Sequence, residues 1–305
     1  MVIKDMPLSG LRLGVFGKGG SGKSTATVLL AEALLERGYS VLVLDADSTN
    51  VGLGRALGMD EDPDPLLDYF GGMVFSGGPV TCPVDDPTPL TGAVVSVHEI
   101  PDRFLARRDG LGLMVAGKIG GLGPGAGCEG PIANIARDLV VQDLDPEHVV
   151  LVDFKAGFED SARGAVTSLD WALVVVDPTV AAVQMAIHLA AMVSEIRAGV
   201  PPATQHLIDD GHLVELAIRL FREARIRGVV ASLNRVTDAS AEAYLRDSLE
   251  HGSVPVVGRF GADPAVEEQW LYGRRIRSDV LAREAGALVK GLEAVVQEGQ
   301  MAATT

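Results

Sequence analysis

Leu11-Arg12-Leu13-Gly14-Val15-Phe16-Gly17-Lys18-Gly19-Gly20-Ser21-Gly22-Lys23-Ser24-Thr25 is the stretch that decides the fold. Leu11–Phe16 is an apolar run of strand length. It enters a glycine-rich turn, and the spacing then predicts a helix from Ser24 to Arg37, with Val28, Ala31, Leu34 and Leu35 on one face and Gly38 as its stop. In such a turn the glycines let successive backbone N–H groups point inward as a nest for an anion, and the helix adds its positive end to the same spot. Residues Gly17 to Ser24 fit G-x-x-x-x-G-K-[ST], between a strand and a helix as that chemistry requires. Lys23 is therefore expected to reach the β- and γ-phosphates of ATP, or the β-phosphate of ADP, and the Ser24 hydroxyl to ligate Mg²⁺. The alternative is a glycine-rich turn with two solvated lysines. Only six lysines occur in 305 residues, and the pattern arises by chance on the order of once in a hundred chains of this composition, before context is required.

Outward from this unit, short β-branched and leucine runs recur at Val41–Leu44, Leu113–Ala116, Val149–Val152, Ala172–Val176, Val229–Leu233 and Val254–Val257, separated by amphipathic or alanine-rich stretches. Strand alternating with helix predicts an α/β fold: one domain over residues 1–305, with a mostly parallel twisted sheet of about seven to eight strands covered by helices on both faces. From about residue 59 to 109 the pattern decays into Pro-, Asp- and Gly-rich text, read as an irregular insertion on the ligand side. With 26 basic and 41 acidic side chains the net charge is −15, a poor start for gripping nucleic acid or anionic lipid. Hydrophobic residues make up 47%, enough for a large core. The apolar runs are of strand length, so no membrane span is expected. Two cysteines, Cys82 and Cys128, give no disulfide framework, and with no signal-peptide pattern the expectation is a cytoplasmic protein.

Lys18 adds a second lysine inside the loop, Lys18-Gly19-Gly20-Ser21-Gly22-Lys23-Ser24. This resembles the deviant Walker A motif of the P-loop ATPase superfamily that includes the nitrogenase iron protein, septum-site and plasmid-partition ATPases, arsenite-pump ATPases and the nickel-insertion ATPase of carbon monoxide dehydrogenase. The resemblance implies a homodimer closing over two ATP molecules, with Lys18 crossing to the partner's nucleotide and offsetting charge on the transferring phosphoryl group. The second run ends in Asp45-Ala46-Asp47-Ser48-Thr49-Asn50, which is similar to that superfamily's switch I with Ser48 in place of proline. Asp47 is expected to position the attacking water, although an Asp-rich strand exit is also an ordinary turn. Val149–Val152 runs into Asp153-Phe154-Lys155-Ala156-Gly157, similar to switch II, so Asp153 is expected to hold Mg²⁺ through water. Ser232-Leu233-Asn234-Arg235 resembles the adenine-contact segment. Asn234 can donate and accept at once, as an adenine edge requires, and it can equally be a turn residue.

Pro124-Gly125-Ala126-Gly127-Cys128-Glu129-Gly130 resembles two relatives at once: the iron protein, whose cysteine at this place holds a shared iron–sulfur cluster, and the nickel-insertion ATPase, whose C-x-C binds metal across the dimer. Cys128 is the matched position. The second cysteine of the nickel pattern falls on Gly130, and the second ligand of the iron-protein pattern on Asp160. A dimer would bring two Cys128 thiolates to its axis instead of four, leaving either no metal site or a mixed one with Glu129 or Asp160. The bland alternative for Cys128 is a small buried residue near a glycine turn. Cys82 has no partner pattern, and the six histidines lack ligand spacing. Motif order from Leu11 to about Ile276 is similar to the nickel-insertion ATPase. The expected activity is thus Mg²⁺-dependent ATP hydrolysis in a nucleotide-switched homodimer serving a client metalloenzyme, with a transition metal at the dimer axis as a candidate cargo. An iron-protein-like electron carrier and a positioning ATPase of the partition or septum-site class are the alternatives.

Overall fold

The structure, a computed structural model, describes residues 6–118, 128–157 and 164–304. The chain alternates strand and helix around one sheet. In chain order the strands are β1 Arg12–Gly17, β2 Ser40–Ala46, β3 Val94–Ser96, β4 Ala106–Arg108, β5 Leu111–Val115, β6 Val140–Gln142, β7 His148–Phe154, β8 Trp171–Val176, β9 Gly228–Asn234 and β10 Val256–Phe260. Among the described residues the α-helices are α1 Lys23–Arg37, α2 Leu53–Ala56, α3 Leu66–Tyr69, α4 Gly130–Asp138, α5 Val180–Arg197, α6 Gly211–Arg222, α7 Ala239–His251, α8 Pro264–Leu271 and α9 Asp279–Thr304. Eight strands form the main sheet in the order β10-β9-β8-β1-β7-β2-β5-β4. Seven run parallel, and the edge strand β4 pairs antiparallel with β5.

Two hydrophobic layers hold the helices to the sheet, because alternate side chains of each strand point to opposite faces. Leu13 and Val15 of β1, Val41 and Val43 of β2 and Leu151 of β7 pack under α1 and α9. Phe16, Leu42, Leu44, Val152 and Phe154 face the other way, toward α4 and α5. Phe16 and Phe154 stack there with centroids 4.5 Å apart, which ties the carboxyl ends of β1 and β7 together. Behind α1, Glu293 of α9 accepts hydrogen bonds from Arg37 and, at 2.9 Å, from the Tyr39 hydroxyl. One buried acid thus fixes the last helix to the first.

Helix α5 has 18 residues and a mean hydropathy of 1.3, so by length and composition it could cross a bilayer, contrary to the strand-length limit read from the apolar runs. It lies against β8 and β9 with Ala182, Val183, Ala186, Leu189, Val193 and Ile196 buried. The stretch 59–109 begins at the ligand end, where Pro65 bridges to Val115 and Leu67 N–H donates to Ala116 C=O at 3.0 Å. It then leaves that end. Phe70, Met73, Val80, Val95, Ile100 and Phe104 fill the core on the α4 face, β3 pairs with β6, and β4 closes the sheet edge with Arg107 and Arg108.

The strand order reverses beside β1: the chain steps outward to β2 and β5, returns to β7, then crosses to β8. In open parallel sheets such a switch point opens a crevice at the carboxyl ends of the strands. The glycine turn after β1 lies at that crevice.

Candidate functional site

Helix α1 starts directly behind Gly22, which sits in the left-handed region at φ 93°, and no side chain caps it. Its first amides have no intrahelical acceptor and carry the positive end of the helix. Gly20 is also left-handed, at φ 76°, which turns the loop over this helix end. Lys23 is buried, and its ammonium reaches back to the Lys18 carbonyl at 3.5 Å. Burial lowers its pKa, while the charges of Asp153 and Asp47 pull it back up. Lys18 is half-exposed in the loop, and no hydrogen bond or ion pair holds its side chain among the described residues.

Three carboxylates cluster at this end of the sheet, and two of them, Asp153 and Asp47, act on this cation. Asp45 and Asp153 are register partners at the carboxyl ends of β2 and β7. Asp153 is wholly buried, and neither of its oxygens has a hydrogen-bond partner. Desolvation first, and then the charge of Asp45, push it up to about 7; Ser24 and Lys23 act the other way, Ser24 without reaching hydrogen-bond geometry. Asp45 is pushed up to about 6 by burial, against the ion pair that Lys118 makes with it at 2.7 Å. Lys118 also donates to the Asp47 carbonyl at 2.7 Å. The Asp47 carboxylate accepts from the Thr49 N–H, the Thr49 hydroxyl and the Asn50 N–H, so one oxygen is held in a turn. Asn50 then donates to the Ser24 hydroxyl at 2.9 Å.

These residues fit Mg²⁺. An orphaned buried carboxylate, a hydroxyl and two further acidic groups are oxygen donors of the type a hard cation takes. Among the described residues no three His, Cys, Asp or Glu side chains converge as a ready cage. That suits an ion held by one or two protein oxygens, water and phosphate.

Asn234 and Arg235, at the end of β9, clamp the glycine turn from the side. The Asn234 amide donates to the Ser21 carbonyl at 2.6 Å, and Arg235 donates to the Gly20 carbonyl. Both line a cavity with Thr25, Phe260, Asp263 and Trp270. The Trp270 indole donates to the Thr25 hydroxyl at 2.9 Å, which pins α8 to α1. A methyl group at residue 22 would collide with the Asn234 amide, and the left-handed backbone there is strained for any side chain. Gly22→Ala should therefore cost about 1–3 kcal/mol in a urea melt and weaken nucleotide binding. A variant with unchanged stability and affinity would show that the clamp and the turn are not tight.

Glu129 accepts from Lys155 and, at 3.2 Å, from the Ser48 hydroxyl, so it joins the loops after β2 and β7. Cys128, its neighbour, is half-buried and free, as is Cys82. Asp160 and the Pro124–Gly127 part of the cysteine motif lie outside the described residues. The structure thus gathers Gly17, Lys18, Gly19, Gly20, Ser21, Gly22, Lys23, Ser24, Thr25, Asp47, Asp153, Asn234 and Arg235 at one crevice. It adds Lys118, Asn50 and Trp270, which sequence reasoning passed over. Lys118 lies 73 positions from Asp45 and Trp270 lies 245 from Thr25, separations that no local pattern reveals.

Comparison with known proteins identifies a nucleotide-binding domain. Residues 15–276 match the model of the CobQ/CobB/MinD/ParA nucleotide-binding domain. The chain is 32% identical over 177 residues to an uncharacterized ATP-binding protein of Methanocaldococcus jannaschii, covering 57% of this chain and 70% of that one. It is 28% identical over 189 residues to the carbon monoxide dehydrogenase accessory protein CooC of Rhodospirillum rubrum, covering 61% and 70%. Among solved structures, the cell division ATPase MinD of Pyrococcus furiosus superposes with a TM-score of 0.58 at 19% identity, over 94% of this chain and 99% of that one. The Pyrococcus horikoshii MinD, complexed with Mg-ADP, does so with 0.59 at 16%, over 95% and 98%. At these identities the structural likeness speaks to fold.

Proposed function

The chain belongs to the CobQ/CobB/MinD/ParA nucleotide-binding domain family, and from that premise we propose that it is a Mg²⁺-dependent ATPase. It works in the cytoplasm as a nucleotide-switched homodimer that assists metal insertion into, or maturation of, a client metalloenzyme. The observation that carries the ATPase reading is the Asp153 carboxylate, buried without a partner behind Ser24 and Lys23 at an uncapped helix end. Such a group is costly unless a cation or proton meets it. The metal-maturation reading is supported by the similarity to a carbon monoxide dehydrogenase accessory protein and by Cys128 beside Glu129, which contacts the loops after both β2 and β7.

In this account Lys23 and the amides of residues 19–25 take the phosphates. Ser24 and Asp153 would hold Mg²⁺, which when bound supplies charge neutralisation at the phosphate oxygens. Asp47 orients the attacking water with the carboxylate oxygen its turn leaves open. Lys118 holds Asp45 as a carboxylate and keeps the Asp47 backbone in place. Asn234 and Arg235 fix the loop and border the base side. Loss of the γ-phosphate frees Gly157, left-handed at φ 113°, and the Lys155–Glu129 pair passes that movement toward Cys128.

Lys18 tests the dimer. Lys18→Ala should bind Mg·ATP with nearly unchanged affinity yet fail to associate with ATP, and turnover should fall by about 100-fold or more. Sedimentation velocity with and without ATP reads this. An alanine variant that pairs and hydrolyses normally would remove the cross-subunit role.

A further inference from the structure

Glu129 stands at the N-cap of α4, yet its side chain makes no capping bond to that helix. Its carboxylate is used elsewhere, by two loops far apart in sequence. The Ser48 hydroxyl, 81 positions earlier, donates to Oε1 at 3.2 Å, and the Lys155 ammonium, 26 positions later, forms an ion pair with the same oxygen. Ser48 is buried, and the Glu129 and Lys155 side chains are only 19% and 30% exposed, so solvent screens this pair less than one on the open surface. The base of the contact is fixed, because Gly130 to Arg137 of α4 are all buried and the Glu129 carbonyl accepts from the Ala133 N–H at 3.0 Å. Each partner adjoins the phosphate crevice. Ser48 follows Asp47, and it occupies the place where the similar switch I carries proline, which has no hydroxyl to donate. Lys155 lies two residues after Asp153 and two before Gly157, whose N–H donates to the Gly17 carbonyl at 3.2 Å. The loop that Lys155 anchors is thus laid against the glycine turn.

From this convergence we infer that Glu129 is a positioning residue for phosphoryl transfer: through Ser48 and Lys155 it joins the loop that carries Asp47 to the loop that follows Asp153, and so fixes the gap between the group that orients water and the group that holds Mg²⁺. That role rests on the ATPase reading, while the two contacts themselves do not. Glu129 reaches neither phosphate nor metal in this account. Its removal therefore spares binding, since Lys23 and the amides of the glycine turn are untouched, and falls on turnover, where a misplacement of about 1 Å costs as much as 100-fold. One oxygen receives both donors, so the bridge acts as a unit and loss of either end undoes the same alignment.

The test uses the full chain with Mg·ATP and reads kcat and KM from phosphate release in Glu129→Gln, Lys155→Met and the double variant. Glutamine keeps the size of the side chain and an oxygen for Ser48 while losing the charge, so the apo thermal midpoint should stay within about 2 °C. Each single variant should lower kcat roughly tenfold, with KM changed less than about twofold. The double variant should fall by the same roughly tenfold and not by about a hundredfold, because one interaction has been removed twice. Amide hydrogen exchange without nucleotide should quicken about tenfold at Thr49, Asn50 and Gly157 in Glu129→Gln. A single variant with unaltered kcat, a double variant whose loss is the product of the two, or exchange unchanged at all of those amides overturns the bridge. The unaltered chain separates the two claims. If it hydrolyses ATP and the variants turn over as fast, the bridge alone fails. If it hydrolyses nothing while exchange still quickens in the variant, the ATPase reading alone fails.

Discussion

Lys23→Ala loses Mg·ATP affinity by about 100-fold or more, since charge-assisted hydrogen bonds to two phosphate groups contribute on the order of 1.5–3 kcal/mol each. The same variant does not lose apo stability. Lys23 is buried, the one hydrogen bond of its ammonium among the described residues is a 3.5 Å contact to the Lys18 carbonyl, and desolvation disfavours its charge. An apo thermal midpoint equal to or above that of the unaltered chain, with no upward shift on adding Mg·ATP, is therefore the expected signature. A functional cation held in a costly place behaves in this way. An alanine variant that melts lower yet binds nucleotide normally would make Lys23 a structural residue.

Asp153→Asn has the second large effect, and its sign depends on pH. In the folded chain Asp153 titrates near 7, above its ordinary value of 3.8. The folded state therefore holds a proton that the unfolded state has released, and apo stability falls as pH rises from about 4 through 7. The ceiling on that loss is on the order of 4 kcal/mol, and Asp45, raised to about 6, adds a shallower fall in the same direction. Asparagine cannot ionise. The variant should melt higher than the unaltered apo chain at about pH 8, lose most of the slope between about pH 5 and 8, and show no Mg²⁺-dependent gain with nucleotide. A variant that is less stable at high pH, or still gains from Mg²⁺, would place the ion elsewhere.

Much of this site was legible before any coordinates. A strand, a turn that only glycines can make and a helix start occupy consecutive residues, so Gly17 to Thr25 carries its own context. Six of the seven parallel strands were legible too, because each is a largely buried apolar run bounded by turn residues; β10, Val256–Phe260, is buried only at Phe260, and its apolar run, Val254–Val257, begins two residues early. Other features were not. Ala106–Arg108 is three residues with two arginines, and its strand character comes from pairing with β5. The insertion reads as irregular text because its core residues, Met73, Val80 and Val95 among them, stand singly or in runs of two or three apolar residues between turns. Asp45 and Asp47 are equally acidic in sequence, and only register shows Asp45 beside Asp153 while Asp47 closes a turn. Cys82 had no pattern at all until the fold laid it on Gly130. Local chemistry is written in neighbouring residues, and partners brought in by the sheet are not.

The most direct measurement is a calorimetric titration of the metal-free chain with Mg·ATP, run beside sedimentation of the same sample. Saturable binding that needs both Mg²⁺ and Lys23, and a particle that doubles in mass with ATP but not ADP, is the predicted result. No heat at any nucleotide concentration, together with an unchanged mass, would contradict the cradle and its closure alike.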